Sequence, residues 1–163
     1  MPHDIQIEVQ VESRDDPVTS VDLIALREVV SSLLDGERSG GAALAIQLAG
    51  DELLQALNRE HRDVDAPTDV LAFRAEEGAP FPSPDDESAS YLGDIAVSVP
   101  TARRQAADAG LTPDDELRHL VLHGLLHLLG YDHESDADDA AMRAKEEAVL
   151  GPHIHAAGGH ELG

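Results

Sequence analysis

The chain has 163 residues, a formal net charge of −22 and no cysteine. That length suits one domain with a real core, and the missing thiols exclude disulfides, thiolate metal sites and cysteine nucleophiles. Thirty-three acidic residues face eleven basic ones, which argues against a generic binder of nucleic acid or of anionic membranes. The start, MPHDIQIEV, has no basic region followed by an apolar one. The most apolar run, Leu117 to Leu129, is broken by three histidines and is too short to cross a bilayer, so a soluble, cytoplasmic protein is expected.

In chain order, DIQIEVQVE alternates Ile5, Ile7, Val9 and Val11 with polar residues, the period of a half-buried strand. From Val21 to Leu34, leucines and valines fall on one helical face, Thr19 and Asp22 resemble a capping box, and Gly36 ends the run. AALAIQLAG (42–50) reads as a strand and DELLQALNREHR (51–62) as a helix begun by Asp51, so the first two strands should be parallel. Strands follow at 68–75 and 91–99, separated by a Pro-, Ser- and acid-rich loop. Pro100 opens a short helix closed by Gly110. Thr112 then caps a helix with Pro113 in its first position and Asp114 and Asp115 where the helix dipole favours negative charge. A last helix spans about Ser135 to Leu150 and stops at Gly151 and Pro152. The domain is therefore expected over 1–152, with 153–163 a frayed, flexible tail whose histidines are ordinary surface residues.

The chemistry is concentrated in HGLLHLLGYDH, residues 123–133. Residues four apart lie on one helical face about 6 Å along the axis, so His123 and His127 can turn imidazoles toward one ion. Gly130 can take the left-handed conformation that ends a helix, and the reversed chain can return His133 as a third ligand. His119 is also spaced by four, but about 12 Å of helix rise separates it from His127, whereas nitrogens on one ion lie within about 4 Å. His119 is therefore expected behind the ligands, facing substrate or in a structural role, and Asp132 behind the ligands or facing substrate.

Three neutral imidazoles leave a metal ion an open position, the arrangement of a catalytic site. Zinc held this way lowers the pKa of bound water toward about 7. Peptidases with this spacing carry a glutamate directly after the first histidine, and here that position is Gly124. A phosphodiester asks instead for cations, because charge accumulates on phosphoryl oxygens. Arg59, Arg62, Arg74, Arg103, Arg104 and Arg118 are the candidates, and residue chemistry alone does not choose among them.

Three blocks resemble the YbeY family of metal-dependent endoribonucleases, the rRNA maturation factors. HGxLHLxGYDH is matched in full by His123 to His133. LNxxYRxxDxPTDVLSF is similar to the stretch from Leu57 to Phe73, and LGDI stands at Leu92 to Ile95. The resemblance implies a single α+β domain with a mixed, mostly parallel sheet of about four strands and about five helices, the zincin-like site lying at the end of a central helix. It implies one zinc ion on His123, His127 and His133, with Arg62 as the catalytic cation on the scissile phosphate. It further implies single-strand-specific RNA cleavage in maturing the 16S rRNA 3′ end, ribosome quality control, and the small ribosomal subunit as partner. His61 stands where the family has Tyr, and Ala72 where it has Ser. The alternatives are a metallopeptidase and a non-catalytic, zinc-braced ribosome-assembly factor.

The acidic surface fits an RNA enzyme if the cytoplasm holds molar salt. There the Debye length falls to about 3 Å and long-range repulsion of a polyanion is screened.

Overall fold

The computed structural model describes residues 3–9, 22–37, 41–75, 90–131 and 136–155. Thr19, the acid-rich loop after strand three, Asp132, His133 and residues 156–163 lie outside them. The strands are β1 (Asp4–Val9), β2 (Ala42–Ala49), β3 (Val70–Arg74) and β4 (Ser90–Ser98). The helices are α1 (Leu23–Glu37), α2 (Asp51–Arg62), α3 (Val99–Ala109), α4 (Pro113–Leu128) and α5 (Asp136–Leu150), and a 3-10 helix follows at Pro152–His155.

The sheet runs β1-β2-β4-β3. β1 and β2 are parallel, as are β2 and β4, and β3 is an antiparallel edge on β4. All eight residues of β2 are buried because both sheet faces are covered. Leu44, Ile46 and Leu48 of β2, with Ile95 and Val97 of β4, pack against α1 and α4, while Leu54 and Leu57 of α2 meet Ala49, Phe73 and Ala96 on the other face. The period of two in the strands thus serves two cores.

Local signals act largely as expected. Asp22 is the residue that caps α1, its carboxylate accepting from the Ala25 amide at 3.1 Å. α2 begins at Asp51 as expected, with Gly50 as its N-cap and Asp51 and Glu52 in its first turn. Residues 153–155 belong to the 3-10 helix Pro152–His155. Ile154 is buried and His155 nearly so, because the 3-10 helix folds back on α4 and α5.

Gly93, within LGDI, has φ +142° beside a register shift between β2 and β4. A Cβ there would sit 2.1 Å from the Phe73 carbonyl oxygen. This close approach of β3 requires glycine.

Candidate functional site

α4 is held by its N-terminal signals. The Thr112 hydroxyl accepts from the Asp115 amide at 3.1 Å, Pro113 occupies the first turn, and Asp114, Asp115 and Glu116 follow. Its other end closes in a Schellman arrangement, the Tyr131 amide reaching the Leu126 carbonyl at 3.0 Å and the Gly130 amide the His127 carbonyl at 3.1 Å. Gly130 has φ +102°, so it supplies the expected chain reversal. The Tyr131 hydroxyl donates to Glu37 at 3.1 Å, tying the end of α4 to α1, and Lys145 pairs with the same carboxylate at 2.7 Å.

His123 and His127 lie one turn apart with their Nε2 atoms 3.2 Å apart. The edge of a tetrahedron with metal–nitrogen bonds of 2.0–2.1 Å is about 3.3 Å, so the pair is spaced as two ligands of one borderline divalent ion would be. His123 Nδ1 faces Glu146 Oε2 at 3.3 Å. A proton held on Nδ1 by that carboxylate leaves Nε2 with its lone pair toward the cleft, the tautomer a metal needs.

Sequence reasoning missed Glu146. Its signal was a carboxylate one turn after Met142 on α5, and both are buried on the face that meets α4. The other oxygen, Oε1, lies 3.1 Å from Nε2 of His119 and 3.1 Å from Nε2 of His155. Burial alone would push the Glu146 carboxyl up, but hydrogen bonds from His119 and His123 outweigh it and bring it down to about 2. Burial likewise opposes charge on His119, yet Glu116 and Glu146 hold its pKa up at about 9. His119, only 2% exposed, thus faces Glu116, Glu146 and His155 rather than substrate.

The open side of His123 and His127 is a cleft of about 450 Å³, walled by Asn58, Thr68, β3 and Gly124. Arg62 and Arg74 line it, and no carboxylate does among the described residues. On a chain of net charge −22 this cleft is locally cationic.

The other candidate arginines have different settings. Arg59 pairs with Asp65 at 3.6 Å, Arg104 with Asp51 at 3.0 Å and Arg118 with Asp115 at 3.0 Å, and Arg103 is not among the cleft's lining residues. Arg62 stands over the Phe73 ring at 4.8 Å and donates to the Ala72 carbonyl at 2.9 Å. Because that acceptor is backbone, an alanine at 72 serves it as well as a serine. His61 lays an aromatic ring edge-on against Phe73 at 5.0 Å. Arg74 donates through Nε and Nη2 to the His127 carbonyl at 3.1 Å each, tying β3 to the end of α4.

Asp69, buried in the PTDV segment, accepts from the Val70 amide at 2.7 Å and from Gln105 at 3.3 Å, which braces the cleft wall. Gly124 is explained by packing. A Cβ there would meet Ile95 Cγ2 at 3.0 Å and Val70 Cγ2 at 3.3 Å, so α4 lies against the sheet where a peptidase's glutamate would begin.

The family described as Endoribonuclease YbeY matches residues 8–153 of this sequence. The chain belongs to the YbeY family. It is 42% identical over 149 residues to the Endoribonuclease YbeY of Roseiflexus castenholzii, covering 91% of this chain and 92% of that protein. It is 39% identical over 162 residues to the one from Rhodospirillum rubrum, covering 93% and 80%. The solution structure of TM1509 from Thermotoga maritima superposes with a TM-score of 0.58 at 27% identity, covering 93% of this chain and 89% of that one. The YbeY architecture of five helices on a four-stranded mixed, mostly parallel sheet is therefore shared. No helix among the described residues is long and apolar enough to cross a membrane.

Proposed function

We propose that the chain is a zinc-dependent, single-strand-specific endoribonuclease, with His123, His127 and His133 as ligands and Arg62 on the scissile phosphate. One observation carries the reading: two imidazole nitrogens 3.2 Å apart open onto a cleft whose charged lining side chains are Arg62 and Arg74. Membership of a family whose relatives are named endoribonucleases supports RNA as the substrate. His133, three residues beyond the Gly130 reversal, is the third ligand that the motif's spacing offers.

When bound, zinc would supply Lewis acidity toward the phosphoryl oxygen and a nucleophile active near neutral pH. The remaining work falls to the chain. Arg62, held by the Ala72 carbonyl and the Phe73 ring, lines the cleft, where it would neutralise charge developing on the phosphate. Arg74 adds positive potential while fixing the end of α4 that carries His127. Glu146 keeps the proton of His123 on Nδ1. Of the chain's own residues, Asp132 is the candidate for proton transfer, since His119 is enclosed behind the site.

A peptidase reading finds no carboxylate in the cleft among the described residues, and Gly124 has sheet side chains where its glutamate would start. The roles proposed from the resemblance are maturation of the 16S rRNA 3′ end and ribosome quality control, on the small ribosomal subunit in the cytoplasm. Only four aromatic residues serve the whole chain, so base stacking contributes little to sequence choice.

The test is paired substitution. His127→Ala should abolish both zinc retention in the cleft and cleavage of single-stranded RNA, and Arg62→Ala should keep the zinc and lose most cleavage. Undiminished cleavage by His127→Ala or by zinc-stripped protein overturns the reading. An assembly factor that zinc merely braces would show no cleavage even when fully loaded.

A further inference from the structure

We propose that His119, Glu146 and His155 form a second divalent-metal site, behind the cleft and separate from it, which braces the histidine at the cleft floor. The three side chains come from three elements: His119 from α4, Glu146 from α5 and His155 from the 3-10 helix. Their donor atoms form a nearly equilateral triangle. Glu146 Oε1 lies 3.1 Å from each Nε2, and the two Nε2 atoms are 3.3 Å apart. Those edges match the about 3.3 Å expected between ligands on one tetrahedral ion.

The reverse side of each donor strengthens the assignment. Nδ1 of His119 lies 3.1 Å from Glu116 Oε1, and Nδ1 of His155 lies 2.9 Å from Glu147 Oε1. An imidazole whose outer nitrogen is held by a carboxylate presents the inner one as a lone-pair donor, which is how ligating histidines are usually set. Glu146, the third donor, turns its second oxygen to His123 Nδ1 at 3.3 Å.

Charge points the same way. Glu116 and Glu146 are buried, and with Glu147 they place three carboxylates around two imidazoles. A cation at the centre of the triangle satisfies that excess and lets all three donors point inward. Without it, protons shared among the two Nε2 atoms, 3.3 Å apart, and the one Glu146 oxygen must hold the three together. Two imidazoles and a carboxylate suit zinc or a similar borderline ion. His155, with 11% of its side chain exposed, gives the ion a route in. The consequence reaches the cleft, because an ion that fixes Glu146 also fixes the tautomer of His123.

The experiment is metal stoichiometry on the full chain. Metal-free protein is titrated with Co²⁺, read by its visible absorption, and zinc content is measured after dialysis. Wild type should take two equivalents, His127→Ala one and His155→Ala one, and the double variant none. Cleft-ion affinity in His155→Ala should fall about 10- to 100-fold. Should His155→Ala fail to fold, by circular dichroism, His155→Gln replaces it.

A single equivalent in wild type that survives in His155→Ala overturns the second site, leaving protons as the charges that hold the triad together. A single equivalent that survives in His127→Ala but not in His155→Ala supports the second site and defeats the zinc reading of the cleft.

Discussion

Glu146→Gln keeps the shape of the side chain and removes its charge, so it isolates what the carboxylate does for the three histidines around it. In the native protein Glu146 meets His119 and His155 at 3.1 Å and His123 at 3.3 Å, at 2% exposure. Hydrogen bonds to a buried charge contribute about 1.5–3 kcal/mol each, and glutamine retains one acceptor oxygen. Removing one partner of a buried ionic group costs about 3–5 kcal/mol. The expected loss is therefore about 3–4 kcal/mol for the metal-free protein at neutral pH, measured by urea unfolding. Domains of this size are stable by about 5–15 kcal/mol, so the variant should remain folded. Cleft-metal affinity is measured by chelator competition in a His155→Ala background, so that only one site reports, and should fall about 10- to 100-fold. A stability loss below about 1 kcal/mol, together with unchanged metal affinity, would refute the claim that Glu146 orients His123.

Gly93→Ala should destabilise by about 3 kcal/mol or more in the same urea assay, because its Cβ would lie 2.1 Å from a backbone oxygen that cannot turn aside. Gly124→Glu should lose about 1–3 kcal/mol by overpacking against Ile95 and Val70 and should gain no peptidase activity; casein hydrolysis by the variant would defeat the packing argument. Asp51 accepts from Ser98 at 2.5 Å, Thr101 at 2.7 Å and Arg104 at 3.0 Å; burial raises its pKa, but these partners more than offset that and lower it. Its contribution should be complete above the ordinary carboxyl value and lost as pH falls through the lowered one, so Asp51→Asn should flatten the acid limb of a pH–stability curve. If the charge of −22 is an adaptation to salt, melting temperature and RNA cleavage should both rise between 0.1 and about 2 M KCl, and equal values at the two ends would reject it.

Interactions carried by neighbouring residues were legible without a structure. The α2 span, the Thr112 cap, the Gly130 reversal and the four-residue spacing of His123 and His127 all follow from backbone geometry within a turn or two. The first parallel strand pair was equally readable, because a strand, a helix and a strand leave few other ways to pack. The family motifs then pointed to an endoribonuclease, which composition alone spoke against.

Tertiary packing decided what lies behind and opposite those histidines. Glu146 is 23 residues from His123, and His155 is 36 from His119; no periodicity links them, and only the docking of α5 and the 3-10 helix on α4 brings them together. Arg62 and Arg74 became the cleft's cations because α2 ends and β3 runs beside α4, while Arg59, Arg104 and Arg118 found carboxylates of their own. Gly124 was legible only as a missing base. The sheet beneath it gives the physical reason, since the side chains of Ile95 and Val70 occupy the space next to its Cα. Spacing along a helix is set by covalent geometry and can be read from sequence; which side chains face it is set by the packing of distant segments, and that is known only once they have folded together.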